Sequence, residues 1–171
     1  PAIYLTGGPG ATADGYVERL RDHDLVRTRD LYILEQRGIA NSTGLCPQFN
    51  TLSPDLADPR TMAEIGVAGA ERTALCFSEA QARGVDLRGY NTQENARDVA
   101  ALRQALGFEQ WNVWGISYGS HLGQMVMQED PGGVRAIVLD AIVPNDLGGG
   151  FGDFARMADT VLENFRSACP A

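Results

Sequence analysis

One serine of this chain stands where a sharp turn between a strand and a helix is expected. Ser117 lies in the frame Gly115-Ile116-Ser117-Tyr118-Gly119, after an apolar run and before an amphipathic stretch. Flanking glycines remove the clashes that such a turn creates, and the turn lifts the hydroxyl above the sheet edge at a helix N-terminus. Developing negative charge is favoured there. The pattern predicts that Ser117 is a nucleophile and that Gly115 and Gly119 support its turn.

A serine hydroxyl needs an adjacent base before it can attack an acyl carbon. The chain has two histidines, His23 and His121. His121 lies one helical turn beyond Ser117, and its side chain is expected to point back along its own helix and away from the hydroxyl. We therefore interpret His121 as a packed helix residue and His23 as a surface residue.

A glycine-rich turn after the first apolar run offers the second part of an acyl-transfer site. Residues 6–10 have the sequence TGGPG, and such a site needs two backbone N–H donors for its oxyanion. We expect the amide of Gly8 to supply one donor and the amide of Tyr118 the other. The alternative is a plain strand-to-helix turn, and the presence of Ser117 favours the oxyanion hole.

The same turn also fits a dinucleotide-binding fingerprint, which would make the chain an oxidoreductase domain. Residues 8–13 follow the pattern G-x-G-x-x-A after a strand, and Glu35 ends the next strand, where a ribose-binding acid would lie. Pro9, however, rigidifies a turn whose amides should face a pyrophosphate, and Glu35 follows Gly8 by more than the usual spacing of about 20 residues. The hypothesis leaves Ser117 unexplained and remains a remote alternative.

Composition excludes several other classes of function. The chain has 171 residues, of which 44% are hydrophobic and 21% charged, as is typical of one globular domain. A net charge of -8 argues against nucleic-acid binding, because no basic stripe is available to neutralise phosphates. No apolar run has the length of a membrane span. No cysteine or histidine spacing matches a metal site, and we expect neither a metal nor a cofactor.

The three cysteines, Cys46, Cys76 and Cys169, leave two hypotheses open. They are buried free thiols, or Cys46 and Cys76 form a disulfide in an oxidising compartment while Cys169 stays unpaired. The chain starts at Pro1, directly in a strand-like run and without a signal-peptide pattern. This start suggests that a leader or more was removed before it.

Apolar runs and turn signals predict strands that alternate with helices. Strands are predicted within residues 1–8, 30–38, 111–117 and 134–142, and helices at 15–22, 59–83, 90–107, 118–130 and after 152. Asn91 with Glu94 caps the helix over 90–107, and Gly107 ends it. Because the strands are apolar on both faces, we expect an α/β fold with a parallel sheet. The change of composition at Pro144 predicts a boundary between residues 1–143 and 144–171.

Three of the predicted helices carry apolar residues at helical spacing. The helix over 90–107 is predicted to bury Ala96, Val99, Leu102 and Leu106. The helix over 59–83, interrupted by Gly66 and Gly69, has a stripe of Ala63, Val67, Ala70, Ala74 and Phe77. The last helix places Phe154, Met157, Val161 and Phe165 along one face.

These motifs, in this order, resemble the first half of an α/β-hydrolase of the proline iminopeptidase and tripeptidyl aminopeptidase group. TGGPG (6–10) resembles that family's HGGPG oxyanion segment, LEQRGIANS (34–42) its DQRG-x-G-x-S motif, and WGISYGSHLG (114–123) its nucleophile turn. The stretch 90–107 resembles the helix before the nucleophile strand, and IVLDAIVP (137–144) the strand that leads into the cap. The resemblance implies the central parallel strands of an α/β-hydrolase sheet, flanked by helices and running into the start of a helical cap at 144–171.

Carried over residue by residue, the resemblance implies that Ser117 is the nucleophile and that the Gly8 and Tyr118 amides form the oxyanion hole. Gln36 and Arg37 would brace the oxyanion loop. The cysteine positions resemble those of secreted members, which implies an extracytoplasmic location.

Two residues depart from the family pattern. Thr6 replaces the usual histidine of the first motif, and Glu35 replaces the usual aspartate of the second. Neither position is chemically essential, so the departures bear on local hydrogen bonding and not on the reaction.

In the resembled family, the acid and the histidine of the triad follow the cap, whereas this chain stops at Ala171. Asp140 ends the fourth strand, where a few α/β-hydrolases place their acid, but the resemblance implies a structural role. The four strands would then be the centre of a larger sheet with two bare edges. We expect self-association or a missing chain segment to cover these edges.

The predicted function is hydrolysis of short peptides with a free N-terminus, or of small esters, through an acyl-enzyme at Ser117. The alternative is a catalytically incomplete fragment that lacks the histidine and acid of the triad and is inactive as given.

Overall fold

The computed structural model describes residues 1–40, 42, 45–46, 60–146 and 154–168. The strands in this part are β1 (Ala2–Leu5), β2 (Leu31–Ile33), β3 (Trp111–Ile116) and β4 (Val134–Asp140). The α-helices are α1 (Asp14–Leu20), α2 (Met62–Ala82), α3 (Thr92–Ala105), α4 (Tyr118–Glu129) and α5 (Phe154–Ala168), with short 3-10 turns at Asp24–Arg27 and Leu87–Gly89. The predicted alternation of strands and helices is confirmed.

The strands form one parallel sheet in the order β2-β1-β3-β4. Leu5, at the end of β1, is paired with Gly115 of β3, and Ile116 is paired with Asp140 of β4. Because these carboxyl ends are aligned, the loops that follow the three strands leave the sheet side by side. The predicted α/β fold with a parallel sheet is confirmed, and its register brings residues 6–10 next to Ser117.

One side of the sheet is packed against α3 and α4, and we call it the covered face. It presents Ile3, Leu5 and Val113, all of which are almost fully buried. The helices contribute Ala96 and Val99 from α3 and Leu122 and Val126 from α4 to the same cluster. Burial of each large side chain here stabilises the fold by about 1.5–3 kcal/mol. This layer holds the helix that follows Ser117 against the strand that precedes it.

The opposite side of the sheet, which we call the second face, presents Tyr4, Trp114 and Val138. Helix α1 covers part of it, since Tyr16 lies 5.2 Å from the Tyr4 ring and Tyr4 meets Trp114 edge-on at 4.8 Å. A groove of about 370 Å³ lies beyond, lined in part by Trp114 and Val138. Val138 is 59% exposed. Strand β4 is therefore an edge of the described sheet with an apolar surface that no described element covers.

Helix α3 follows the sequence prediction closely at its start and less well at its end. The Asn91 side chain accepts a hydrogen bond from the Glu94 amide at 2.9 Å, which confirms the predicted cap. Ala96 and Val99 are fully buried, as predicted. Leu106 was predicted to be buried and is exposed, because it is the C-cap residue and lies beyond the turns that pack on the core.

Helix α2 is present, but its apolar stripe does not face the core. Val67 and Phe77 are exposed, whereas Cys76 and Ala80 are buried. The structure joins Cys76 to Cys46 as a disulfide with Cα atoms 5.5 Å apart, and this link helps to decide which side of the helix is inside. The apolar spacing alone therefore mispredicts the buried side of α2.

Helix α5 lies inside the segment that was predicted to begin a cap. Its residues Met157, Val161 and Phe165 are all exposed, while the side chain of Phe154 lies outside the described residues. The amphipathic pattern produces a helix, but no described element covers its apolar side. The boundary at residues 143/144 stays a prediction.

Candidate active site

Ser117 occupies the turn between β3 and α4 with an unusual backbone conformation. Its φ is 53° and its ψ is -122°, a region that side chains rarely adopt and that costs about 1–3 kcal/mol. The surrounding hydrogen bonds hold it there. Its N–H donates to the Asp140 carbonyl at 2.9 Å, and its carbonyl accepts from the Ser120 amide at 2.8 Å and the Ser120 hydroxyl at 2.6 Å. The turn leaves the Ser117 side chain exposed at the carboxyl edge of the sheet.

The two glycines of the frame are required by close backbone approach. A Cβ on Gly115 would overlap the carbonyl of Gly119, and a Cβ on Gly119 would overlap the carbonyl of Leu5. Helix α4 thus begins in direct contact with the ends of β1 and β3. The sequence frame predicted this kind of turn, and the structure adds the reason why each glycine is needed.

The loop after β1 lies directly against Ser117. A Cβ built on Gly7 would be 3.3 Å from the Ser117 Cβ and 3.7 Å from its Oγ. Gly8 follows with a φ of 113°, which only glycine adopts readily. The amides of Gly8 and Tyr118 donate to no other group in the described part of the chain. The predicted oxyanion donors therefore lie on the two segments that meet at Ser117.

Three side chains, those of Thr6, Gln36 and Glu35, hydrogen-bond to or within the loop after β1 and fix its shape. The buried Thr6 donates its hydroxyl to the Ala11 carbonyl at 3.1 Å, and Gln36 Nε2 donates to that hydroxyl at 3.3 Å. Glu35 Oε2 accepts a hydrogen bond from the Ala13 amide at 3.1 Å. The departures from the family pattern at Thr6 and Glu35 are thus part of local hydrogen bonding. A Glu35 carboxylate engaged in this way argues against the ribose-binding role of the oxidoreductase alternative.

Arg37 links the loop after β2 to helix α3. Its guanidinium donates to both carboxylate oxygens of Asp98, at 2.6 and 2.5 Å, and to the Gly89 carbonyl at 2.6 Å. The hydrogen bonds to Asp98 raise the pKa of Arg37. The bidentate pair holds the loop that carries Gln36 at a fixed position relative to α3.

Neither histidine of the chain hydrogen-bonds to Ser117. His121 packs against Tyr118, with ring centroids 5.9 Å apart, and its buried Nδ1 has no partner in the described part of the chain. His23 lies on the second face, where its ring is 5.2 Å from Trp114 and its Nδ1 accepts from the Leu25 amide. The Asp140 carbonyl positions Ser117, while its side chain is exposed. The described residues therefore bring the turn at Ser117 and the loop at residues 6–10 together, with no histidine hydrogen-bonded to Ser117.

A pocket of about 320 Å³ lies beside these elements, and we call it the amide pocket. Its lining includes Pro9 of the loop after β1, Tyr118 at the start of α4, and Gln36 and Asn95. Tyr118 is held in its wall by a 3.1 Å hydrogen bond between its hydroxyl and that of Thr92. Sequence reasoning missed Asn95 and Thr92. The available signal was a polar residue directly before Ala96 on the buried side of α3.

The described residues offer little for other kinds of site. They contain no group of three or more His, Cys, Asp or Glu side chains that could hold a metal ion. None of the described helices is long and apolar enough to cross a bilayer.

The chain is similar to known hydrolases and peptidases. The family model described as alpha/beta hydrolase fold matches residues 1–169. A tripeptidyl aminopeptidase of Streptomyces lividans is 29% identical over 151 residues, covering 82% of this chain and 28% of that protein. A probable proline iminopeptidase of Streptomyces coelicolor is 30% identical over 142 residues, covering 83% and 32%. Serine protease Hip1 of Mycobacterium tuberculosis is 33% identical over 155 residues, covering 81% and 29%.

The solved structures that resemble this chain are more distant in sequence. A proline iminopeptidase-related protein from Thermus thermophilus is 18% identical with a TM-score of 0.47, over 81% of this chain and 35% of that one. An extracellular alpha/beta-hydrolase from a Paenibacillus species is 14% identical with a TM-score of 0.49, over 94% and 51%. The chain spans only 28% to 32% of the length of the curated relatives named above.

Proposed function

The chain belongs to the alpha/beta hydrolase fold family, and we propose that it is the nucleophile-bearing part of a serine hydrolase that acts on short peptides with a free N-terminus. The observation that carries this proposal is the backbone of Ser117. Its φ of 53° is maintained between two glycines that tolerate no Cβ, with the Gly7–Gly8 loop against its side chain. A conformation this costly persists where the surrounding structure enforces it, and such sites are often functional.

The proposed reaction is acyl transfer in two halves. Ser117 Oγ attacks the carbonyl carbon of the scissile bond and gives its proton to a base, and the developing oxyanion accepts hydrogen bonds from the Gly8 and Tyr118 amides. The tetrahedral intermediate collapses, the bond to the leaving amine breaks, and the base returns the proton to that amine. Water then attacks the acyl-enzyme by the same route and frees Ser117. Each oxyanion donor of this type contributes about 100- to 1000-fold in rate.

We place the general base and its acid partner outside these 171 residues. His121 packs on Tyr118 and His23 lies on the other face of the sheet, and neither forms a hydrogen bond with the Ser117 hydroxyl in the described part of the chain. The relatives are about three times as long as the aligned region, since that region covers only 28% to 32% of them. The alternative is that these residues alone form a catalytically incomplete fragment.

Peptides are proposed ahead of esters because of the names of the relatives. The matched proteins are named tripeptidyl aminopeptidase, proline iminopeptidase and serine protease. Those activities belong to those proteins, and here they support a substrate class only. Small esters react with the same nucleophile and are the second candidate substrate, because an ester is the more easily cleaved acyl donor.

Supplying the missing base tests this function directly. With imidazole added as an external base, we expect the protein to release p-nitroaniline from trialanine p-nitroanilide and to act more weakly on the N-acetylated form. The Ser117→Ala variant should lose this release completely. Cleavage of p-nitrophenyl acetate alone would support the esterase alternative. Equal activity of wild type and Ser117→Ala on every substrate would contradict the proposal.

We also propose an extracytoplasmic location, supported by the disulfide between Cys46 and Cys76. Disulfides persist in oxidising compartments and are rare in the cytosol. Alkylation of native, non-reduced protein should leave both cysteines unmodified, whereas prior reduction should expose them. Modification of both residues without reduction would contradict the location.

A further inference from the structure

We propose that the amide pocket binds one peptide unit of the substrate through the side chains of Asn95 and Gln36. The inference rests on the proposed function and deepens it, because it assigns to that site a subsite that distinguishes peptides from esters.

Both side chains are buried and incompletely hydrogen-bonded. Asn95 is 8% exposed and Gln36 is 3% exposed. Neither polar atom of the Asn95 amide has a partner among the described residues, and Oδ1 is fully enclosed. Gln36 directs its Nε2 to Thr6, and its Oε1 accepts no hydrogen bond within the same part of the chain. Within the described residues, Asn95 Nδ2 and Gln36 Oε1 are unpaired but not enclosed, so these are the two atoms that a ligand in the pocket can reach.

The location of the pocket links these amides to the reacting carbonyl. Pro9 follows the proposed oxyanion donor Gly8, Tyr118 is the other donor, and both residues line the pocket. The pocket therefore adjoins both proposed donors, and we place in it one substituent of a substrate carbonyl whose oxygen lies between them. Ile39 and Tyr90 form apolar walls that suit the aliphatic part of that substituent.

The chemistry of the unpaired atoms favours a peptide unit over other groups. A peptide unit brings one N–H donor and one C=O acceptor, and the two side chains can meet both, with Gln36 Oε1 as acceptor and Asn95 Nδ2 as donor. An ester has no N–H and would leave Gln36 Oε1 unsatisfied. The neighbouring Arg37 is occupied by Asp98 and Gly89. We therefore do not expect the Arg37 guanidinium to bind a substrate carboxylate. A volume of about 320 Å³ suits one such unit with a modest side chain.

A binding measurement on the 171-residue chain tests the proposal without requiring catalysis. N-methylpropanamide, which contains a single peptide unit, is the probe, and methyl propanoate, which has no N–H, is its ester counterpart. In spectra that resolve side-chain amide groups, the probe should shift the Asn95 and Gln36 NH₂ resonances in a saturable manner, and the ester should bind at least about tenfold more weakly. Saturable shifts confined to other residues, or equal binding of the ester, would overturn the assignment.

Matched variants separate binding from structure. Asn95→Leu, which has a similar volume, should weaken probe binding at least about tenfold, while Gln104→Leu on the exposed side of α3 should leave it unchanged. Asn95→Leu should also unfold at the same temperature as wild type or higher, because it removes an unsatisfied buried amide. Wild-type probe affinity in Asn95→Leu, or a clear fall in its unfolding temperature, would point to a structural role and overturn the proposal.

The same experiment distinguishes this inference from the proposed function. Ser117→Ala removes the nucleophile but none of the pocket polar groups, and it should bind the probe with wild-type affinity. Probe binding without any Ser117-dependent hydrolysis would reject the hydrolase and retain the subsite. Ser117-dependent hydrolysis without probe binding would reject the subsite and retain the hydrolase.

Discussion

The two faces of the same sheet differ in how much of their apolar surface the described residues bury. On the covered face, α4 approaches β1 and β3 so closely that Gly119 has no room for a Cβ, and Val113 is 1% exposed. On the second face, the groove beside Trp114 stays open and Val138 is 59% exposed. Both residues are valines in neighbouring strands, so residue type does not explain the difference.

The candidate active site depends on the covered face and not on the second face. The turn at Ser117, the loop at residues 6–10 and the amide pocket all depend on contacts between β1, β3, α3 and α4, and these elements pack together within the described residues. The second face and the outer edge of β4 depend on something that these residues do not supply. We therefore expect mutations on the covered face to be costly, and equivalent mutations on the second face to be tolerated.

The largest effect is expected from a methyl group added to the start of α4. Gly119→Ala places a Cβ against the Leu5 carbonyl, and because the backbone cannot yield we expect a loss of more than about 3 kcal/mol in the free energy of unfolding. The control is Gly15→Ala in α1 on the second face, where a Cβ would meet no atom within 4 Å. It should stabilise the helix by about 0.5–1 kcal/mol. Denaturant titration measures both, and equal effects would contradict the claim that the covered face is the more tightly packed of the two.

The next largest effect comes from a pair of valines. Val113→Ala removes two buried methyl groups and should cost about 2 kcal/mol, whereas Val138→Ala should change stability by less than about 0.5 kcal/mol. The midpoint of chemical denaturation measures both at low protein concentration.

Measuring both valine variants again at high protein concentration tests what covers the second face. A cost of Val138→Ala that grows with protein concentration would show that a second copy of the chain covers the edge of the sheet. A large cost at every concentration would contradict the description of the second face as open.

A smaller effect is expected for the ion pair that ties the loop after β2 to the covered face. Arg37→Lys replaces the planar fork that binds both oxygens of Asp98. Because Asp98 is 36% exposed, solvent screening reduces the expected loss to about 1 kcal/mol. Arg88→Lys is the matched control, since Arg88 also donates to both carboxylate oxygens of Asp86 while its side chain is 91% exposed. Thermal unfolding should detect the first substitution and not the second, and the reverse order would contradict the bracing role.

The smallest effect concerns a carboxylate that links α3 to α4. Hydrogen bonds from Gln93 and then Arg97 hold the pKa of Glu129 below its ordinary value of 4.5. A lowered folded-state pKa means that Glu129 contributes stability above pH 4.5 and loses it as the pH falls through the folded value. Glu129→Gln should therefore unfold slightly earlier than wild type at pH 6, and the two should converge toward pH 3. A gap that widens on acidification would contradict this sign.

The parts of the site that could be predicted from sequence are those made by contiguous residues. The frame around Ser117 and the Asn91 cap each span only a few consecutive residues. Glycines in the first and a capping side chain in the second indicate the backbone conformation directly. The parallel sheet followed from apolar strands alternating with helices. Ser117 as nucleophile, with Gly8 and Tyr118 as donors, stays a prediction for chemistry to test.

The remaining features depend on which distant segments meet. The buried side of α2 could not be predicted from its apolar stripe, because the link from Cys76 to Cys46 turns a different side inward. The role of Asn95 was not visible, because the amide pocket exists only when α3, the loop after β2 and the start of α4 converge. The helical spacing of apolar residues in α5 also does not predict which element packs against them, and Phe165 is exposed.

The most direct test of the central claim is site-specific labelling by a fluorophosphonate, with and without imidazole, followed by intact-mass and peptide analysis. If Ser117 is a nucleophile whose base is not among the described residues, a single adduct should form on Ser117 at a rate that rises with imidazole concentration. His121→Gln should label as wild type does, and Ser117→Ala should not label. An adduct on another residue, unchanged labelling of Ser117→Ala, or no adduct at any imidazole concentration would contradict the claim that this turn presents a nucleophile.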